Sequence, residues 1–271
     1  MARASKDCIF CGGHPTTREH IWAKWSRKYI QMPLKKHSSG TAIINADRSV
    51  TRTNKIWGGD PRQRGLQIVC KTCNGRWMSD LQKASKPILV PLIEGKKCVL
   101  DQKRQTLVSA WAAMTIICAE YFQPKSAAIS VVDRRSLYKT KTAPSSFRIW
   151  IGDYGRGDWR PHWGHNSLRI TEHEGPQGWT VHPDGTPRSN TQVTTFVVGR
   201  LFIQVFSCPF AEILNARRIS QAVDARLVQI WPIRTQVIVW PPRPALSDRE
   251  ADNLAGHIFD HLDRAGTAFG V

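Results

Sequence analysis

The chain has 271 residues, 41% of them hydrophobic and 11 of them Trp, which excludes a disordered polypeptide and suits one large domain or two modest ones. Lys and Arg number 39 against 21 acidic residues, a formal charge of +18, so the expected partner is a polyanion, nucleic acid ahead of an anionic membrane surface. The longest apolar stretch, VSAWAAMTIICAEYF (108–122), falls short of the roughly 20 residues a membrane span needs, and the opening MARASKDCIF carries no apolar signal core, so the expectation is a cytoplasmic protein without a membrane partner.

Residues 1–85 read as one unit, opening at CIFC (8–11), closing at CKTC (70–73) and holding a polar, Gly-containing insert between them. Within the insert, QMPLKKHSSG (31–40) and DRSVTRTNK (47–55) read as flexible basic loops able to track a phosphate backbone. ASKPILVPLIEG (84–95), with two prolines, reads as a connector to a second unit over 86–271. LDQKRQTLVSAWAAMTIICAEYF (100–122) predicts a helix, because apolar residues at 107, 110, 111, 114, 117, 118 and 121 follow the spacing of one helical face. Past Pro124 the pattern changes. SFRIWIG (146–152), TTFVVGRLFIQVF (194–206), LVQIWPI (227–233) and TQVIVWPP (235–242) are rich in β-branched and aromatic residues and predict strands, with a hairpin turn at Gly199-Arg200. The stretch 153–193 reads as a long loop. A last helix starts at SDRE, where Ser247 and Glu250 form a capping box and Leu254, Ile258 and Leu262 form the apolar stripe. The fold class is α+β.

Four of the seven cysteines come as two Cys-x-x-Cys pairs, Cys8/Cys11 and Cys70/Cys73. Two such pairs in an intracellular chain supply four thiolates to a tetrahedral zinc; buried or redox thiols are the alternative. With all four positions filled, such a zinc is structural. Cys98, Cys118 and Cys208 stand singly among apolar residues and read as core.

Two further features sit beside the cysteines. EHIWAKW (19–25) begins with a Glu-His pair, and Asn74 directly follows Cys73. The order Cys-x-x-Cys, Glu-His, Cys-x-x-Cys-Asn resembles the zinc-stabilised HNH endonucleases, also called ββα-metal or His-Me finger nucleases. The resemblance covers about residues 8–82. It implies an N-terminal zinc-stapled ββα-metal module over 1–85, followed by a mixed, β-rich α+β domain over 86–271 for substrate recognition or partner binding. It further implies hydrolysis of phosphodiester bonds in DNA, or else RNA. His20 would activate a water, and Glu19 and Asn74 would hold one catalytic Mg²⁺ or Mn²⁺. Family members occur in mobile elements, phages, restriction and defence. The chain departs from the family at three points. Glu19 stands where Asp is commoner. Gly65 stands where a middle Asn braces the base, leaving that role vacant or to Asn54 or Gln67. Met78 stands where some members carry another ligand, so Asp80 or water would complete the shell.

Arg18, Lys24, Arg27, Lys28, Lys71 and Arg76 cluster in sequence around these residues. Arg18, Lys24, Lys28, Lys71 and Arg76 are the candidate nucleic-acid contacts, with Arg18 and Arg76 nearest the phosphate, since Arg matches phosphate bidentately. IGDYGRGDWRPHWGH (151–165) interleaves Arg with Trp, a pattern for stacking on unpaired bases or for core. His257 and His261 share a helix face without a third ligand, and His162, His165, His173 and His182 form no pattern. Taken singly, His20 reads as a surface or capping residue, Glu19 as a helix-start acid and Asn74 as a helix cap. The rival reading is therefore a non-catalytic, zinc-stabilised nucleic-acid-binding or interaction protein with a degenerate nuclease centre.

Overall fold

A computed structural model of the chain describes residues 7–14, 16–30, 36–44, 50–58, 60–155, 163–172, 178–182, 188–215, 226–242 and 244–256, with backbone alone for 36–44 and 50–58. It is α+β, as the alternation of patterns predicts. Strand β1 (Thr16–His20) leads into a 3-10 turn over Lys24–Tyr29, then β2 (Lys36–Ile44), β3 (Val50–Gly58) and β4 (Gly65–Cys70). A helical turn α1 (Lys71–Cys73), one π-helical turn (Asn74–Met78) and helix α2 (Ser79–Glu94) follow without a break. Then come β5 (Cys98–Asp101), α3 (Gln102–Ala119), α4 (Val131–Thr140), β6 (Phe147–Asp153), β7 (Trp163–Glu172), β8 (Trp179–His182), β9 (Thr191–Val198), β10 (Leu201–Ser207), α5 (Ala211–Asn215), β11 (Val228–Trp231), β12 (Val237–Trp240) and α6 (Asp248–Gly256).

The runs 146–152 and 194–206 are apolar because their strands β6, β9 and β10 are covered on both faces. With β11 they belong to an antiparallel sheet in the order β11-β6-β10-β9-β7-β8, whereas β12, from the fourth run, pairs with β5 and leaves Val237 and Val239 exposed. Along β10, Leu201, Ile203 and Val205 join the core shared with α2 and α3, while Phe202 and Phe206 join a second core with Leu254 of α6 and Ile213 of α5. Alternate residues therefore serve two cores, and no polar face remains to show the strand period. The β9–β10 hairpin turns at Gly199 and Arg200 as predicted. Gly199 has φ of +57°, and a Cβ there would lie 2.6 Å from the Ile93 carbonyl oxygen, so the turn needs glycine. Its tip is fixed to the first half of the chain: Gly199 N donates to the Tyr29 carbonyl at 3.1 Å and Arg200 N to the Ile93 carbonyl at 2.8 Å.

Helix α3 begins where Asp101 caps it, its carboxylate accepting from Arg104 N at 2.8 Å. Residues Val108–Ala119 are buried all round, which places α3 at the centre of the first core rather than along its edge. At the chain's end the capping box forms as expected, with Ser247 N donating to Glu250 Oε2 at 2.8 Å and Glu250 N to Ser247 Oγ at 3.3 Å. Ile258, Leu262, His257 and His261 lie outside the described residues, as do His162 and His173.

Three expectations are corrected. Residues 84–95 are the second half of α2, not a connector: Pro87 and Pro91 lie inside the helix. An interior proline costs about 3 kcal/mol, but Leu89, Leu92 and Ile93 of the same segment are buried to 0–1% exposure, an offset of about 1.5–3 kcal/mol each. The segments 31–40 and 47–55 are not simply loops, because β2 and β3 pair as an antiparallel ribbon with Gly40 opposite Asn54. The stretch 153–193 contains β7 and β8; their buried alternation is confined to Leu168 and Ile170, too short to stand out from the Gly, Trp and His around it. Trp163 there stacks on Phe196 at 5.6 Å and meets Trp22 edge-on, so it is core.

Past α3 the chain turns back over Glu120–Phe122 against β4. The Glu120 carboxyl is 2% exposed; its Oε2 accepts from Ala128 N at 2.9 Å and Ile129 N at 3.1 Å, with Arg134 Nη1 3.7 Å from Oε1. Burial pushes its pKa up to about 7 against the pull of those N–H groups and Arg134. The native carboxyl thus keeps its proton up to about pH 7, whereas an unfolded one releases it near 4.5. Its stabilisation is complete below the unfolded value and is lost as pH rises through about 7. Glu120→Gln keeps the acceptor and removes the titration. Urea unfolding at pH 4.5 and 7 should show a wild-type loss of stability exceeding the variant's by roughly 3 kcal/mol.

Candidate active site and metal centre

The N-terminal Cys-x-x-Cys forms a tight loop. Gly12 N donates to the Cys8 carbonyl at 2.8 Å and Cys8 N to the Gly13 carbonyl at 3.1 Å, with Gly12 at φ of +77°. The second pair closes at the strand-to-helix junction, where Cys70 caps α1 and its Sγ accepts from Cys73 N at 3.4 Å. The sulfurs of Cys8, Cys11, Cys70 and Cys73 all lie within 4.8 Å of one another, and Cys11 Sγ stands 3.5 Å from Cys70 Sγ. A tetrahedral zinc with bonds of about 2.3 Å needs sulfurs about 3.8 Å apart, so the donor set and its spacing fit a tetrathiolate metal such as zinc. Burial pushes the Cys73 thiol far above its usual range, and a cation among these sulfurs would reverse that. Cys118 and Cys208 are buried and Cys98 is half-buried, in keeping with core roles.

The cluster ties together the elements that carry Glu19, His20 and Asn74. β1 runs antiparallel to β4, with Thr16 opposite Cys70 and His20 opposite Gly65. The ladder bulges between Thr17 and Arg18, where Ile68 is the extra residue, and the Ile68 carbonyl accepts from Ile9 N of the N-terminal loop at 2.9 Å. Alternation then places Thr17 and Glu19 on one face of β1. Asn74, at the start of the π-helical turn, meets both. Its Nδ2 donates to Thr17 Oγ1 at 3.2 Å, and the Glu19 carboxyl lies close enough for Asn74 to influence its ionisation. Burial raises the Glu19 pKa to about 7, and Asn74 pulls it down in part. The Glu19 carboxyl on this partly buried face is a hard donor that a divalent cation would fit, since its charge would restore the carboxylate that burial disfavours, and Asn74 would join it through Oδ1, the amide atom that Thr17 does not engage.

His20 is the next residue of the strand. Burial lowers its pKa, as do the charges of Arg27, Arg18 and Lys24, so it is neutral at pH 7 and able to accept a proton. Arg18 is exposed, with Nη2 3.4 Å from the Gln63 carbonyl. Arg27 donates from Nε to the Trp22 carbonyl at 3.3 Å, while its Nη2 is buried with no partner among the described residues. Lys24, Lys28, Lys71 and Arg76 are exposed, the first two on the 3-10 turn after β1 and the others at the helix start. Met78 is buried core, and Asp80 is exposed with Lys83 Nζ 3.8 Å away, so neither is drawn into the Glu19–Asn74 pair. At Gly65, a Cβ would lie 2.8 Å from the Glu19 carbonyl oxygen and from Arg18 Cγ, so no side chain fits opposite His20. Gln67 is exposed opposite Arg18, and the Asn54 side chain lies outside the described residues.

No protein-family model, curated protein or solved structure matches the chain. The site therefore stands on its geometry. Sequence reasoning passed over Thr17, although its two-residue spacing from Glu19 on a strand is a signal for a shared face. The orphaned Arg27 donor was beyond its reach, because burial of one guanidinium nitrogen is a tertiary fact.

Metal content measured by mass spectrometry on native protein should approach one zinc per chain and fall well below one in Cys70→Ser. Wild-type protein without bound metal would contradict the tetrathiolate site.

Proposed function

We propose that the chain is a metal-dependent HNH-type endonuclease that hydrolyses phosphodiester bonds in DNA, with RNA the second choice. The observation that carries this reading is the contact of Asn74 with the face of β1 that bears Thr17 and Glu19, where the β1–β4 pair runs into the helix, with His20 the next residue of the strand. Strand, long insert, strand and helix follow in the order that the ββα-metal resemblance implies.

In this reading Cys8, Cys11, Cys70 and Cys73 hold a structural zinc, and Glu19 and Asn74 hold the catalytic Mg²⁺ or Mn²⁺. When bound, that ion would stabilise charge developing at phosphorus and at the leaving 3′-oxygen. His20 takes the proton from the attacking water at a ring nitrogen; burial, with the charges of Arg27, Arg18 and Lys24, favours the unprotonated ring beforehand. Arg18, Arg76 and Arg27, with Lys24, Lys28 and Lys71, draw the phosphate backbone toward the site. Thr17 orients Asn74 through the 3.2 Å hydrogen bond. Residues 1–85 would form the nuclease module and 86–271 the part that selects substrate or partner, α2 running across that division.

The rival reading, a binding module with a degenerate centre, is favoured by Gly65, which leaves no room for a bracing Asn. One experiment separates the two. Plasmid DNA incubated with Mg²⁺ or Mn²⁺ should be cut by wild type, and His20→Ala should cut about 10²–10⁴-fold more slowly, the usual worth of a general base. A wild type that binds DNA and never cuts any nucleic acid would establish the binding module, and a His20→Ala variant as active as wild type would remove His20 from the chemistry.

A further inference from the structure

Beside the candidate centre lies a cleft of about 300 Å³, lined by Lys24, Trp25, Lys28, Tyr29, Lys86 and Val90. It runs between the 3-10 turn that follows β1 and the exposed side of α2. Its rim is cationic. Lys24, Lys28 and Lys86 are exposed, and none makes an ion pair among the described residues. The nearby carboxylate of Glu94 is already engaged, by the Tyr29 hydroxyl at 2.9 Å and by Lys96 at 2.7 Å.

The floor is aromatic and held rigid. Trp25 Nε1 donates to Gln82 Oε1 at 3.3 Å, the same oxygen that accepts from Trp111 Nε1 at 3.0 Å, and the two indoles pack 6.4 Å apart. Tyr29 is fixed through its hydroxyl and carries the Lys28 ammonium 4.7 Å above its ring. A phosphate alone would need only the lysines. Fixed aromatic rings beside exposed ammonium groups match a strand whose bases are unpaired, because stacking fixes the base while the cations follow the backbone. The cleft adjoins the centre along the chain, since Lys24 on its rim stands on the turn that directly follows β1 and His20.

We propose that this cleft seats a single-stranded stretch of the nucleic acid, its phosphates on Lys24, Lys28 and Lys86 and one unpaired base against Trp25. The inference rests on the reading of nucleic acid as substrate and adds its state: the strand leaves the scissile bond unpaired on this side.

The test is fluorescence anisotropy of a labelled twelve-nucleotide oligothymidylate, titrated without divalent cation so that nothing is cut, across a series of salt concentrations. Wild type is compared with Lys24→Gln/Lys28→Gln/Lys86→Gln, whose fold is checked by circular dichroism. Three lost contacts to a single strand reduce the slope of log affinity against log salt by about 2, a loss of roughly 100-fold at 0.1 M salt. The same slope and affinity in the variant would overturn the proposal. So would a twelve-base-pair duplex that binds as tightly as the single strand and loses as much in the variant. Binding through these lysines by a protein that cuts nothing would sink the nuclease and leave the cleft; cutting by a protein whose binding ignores them would do the reverse.

Discussion

Everything proposed for this chain depends on one cross-link, the meeting of the Cys8/Cys11 loop with the Cys70/Cys73 junction. The two pairs are separated by an insert that contains β1, the 3-10 turn and the β2–β3 ribbon. Without a tie, the entropy of closing so long a loop opposes β1 finding β4. The four sulfurs supply the tie at the point where β4 becomes a helix. Thr16 is then set opposite Cys70, and Thr17 and Glu19 are presented to Asn74, the first residue after Cys73. A metal in this cluster would thus act at a distance on the candidate centre, by fixing which residue of β1 faces which turn of the helix.

The second constraint is the way the first part of the chain is seated on the large sheet. Trp22 packs against Phe196 of β9 and Trp163 of β7, and Trp25 packs against Trp111 of α3. Arg200 of the β9–β10 turn is paired with Asp153 while its backbone holds the end of α2. One core runs from Cys8 to Trp240, so the sheet serves as the rigid support on which the centre and its neighbouring cleft are mounted.

Much of this was legible in the sequence, for physical reasons that differ by element. Helix α3 and the strands β6, β9 and β10 are long apolar runs bounded by caps and turns, and the capping box at Ser247 and Glu250 is a local device that needs no tertiary context. The tetrathiolate cluster was legible because Cys-x-x-Cys spacing already fixes two sulfurs on one side of an ion. What escaped is what tertiary burial decides. Leu89, Leu92 and Ile93 keep α2 helical through two prolines, and β7 is recruited by pairing with β9 despite a mixed composition. The same holds at the centre. Glu19, His20 and Asn74 were named from their types and order, but the contact of Thr17 with Asn74 exists only once β1 is laid against the helix, and the buried Arg27 nitrogen only once the chain is folded.

The central claim is that zinc-held register makes Glu19 and Asn74 into a cation site. Manganese binding, followed by electron paramagnetic resonance on zinc-loaded protein, addresses it without requiring turnover. Wild type should bind one Mn²⁺ per chain, and Glu19→Gln, with its zinc retained, should bind at least about tenfold more weakly. Equal Mn²⁺ binding by the two proteins, or none by zinc-loaded wild type, would contradict the account.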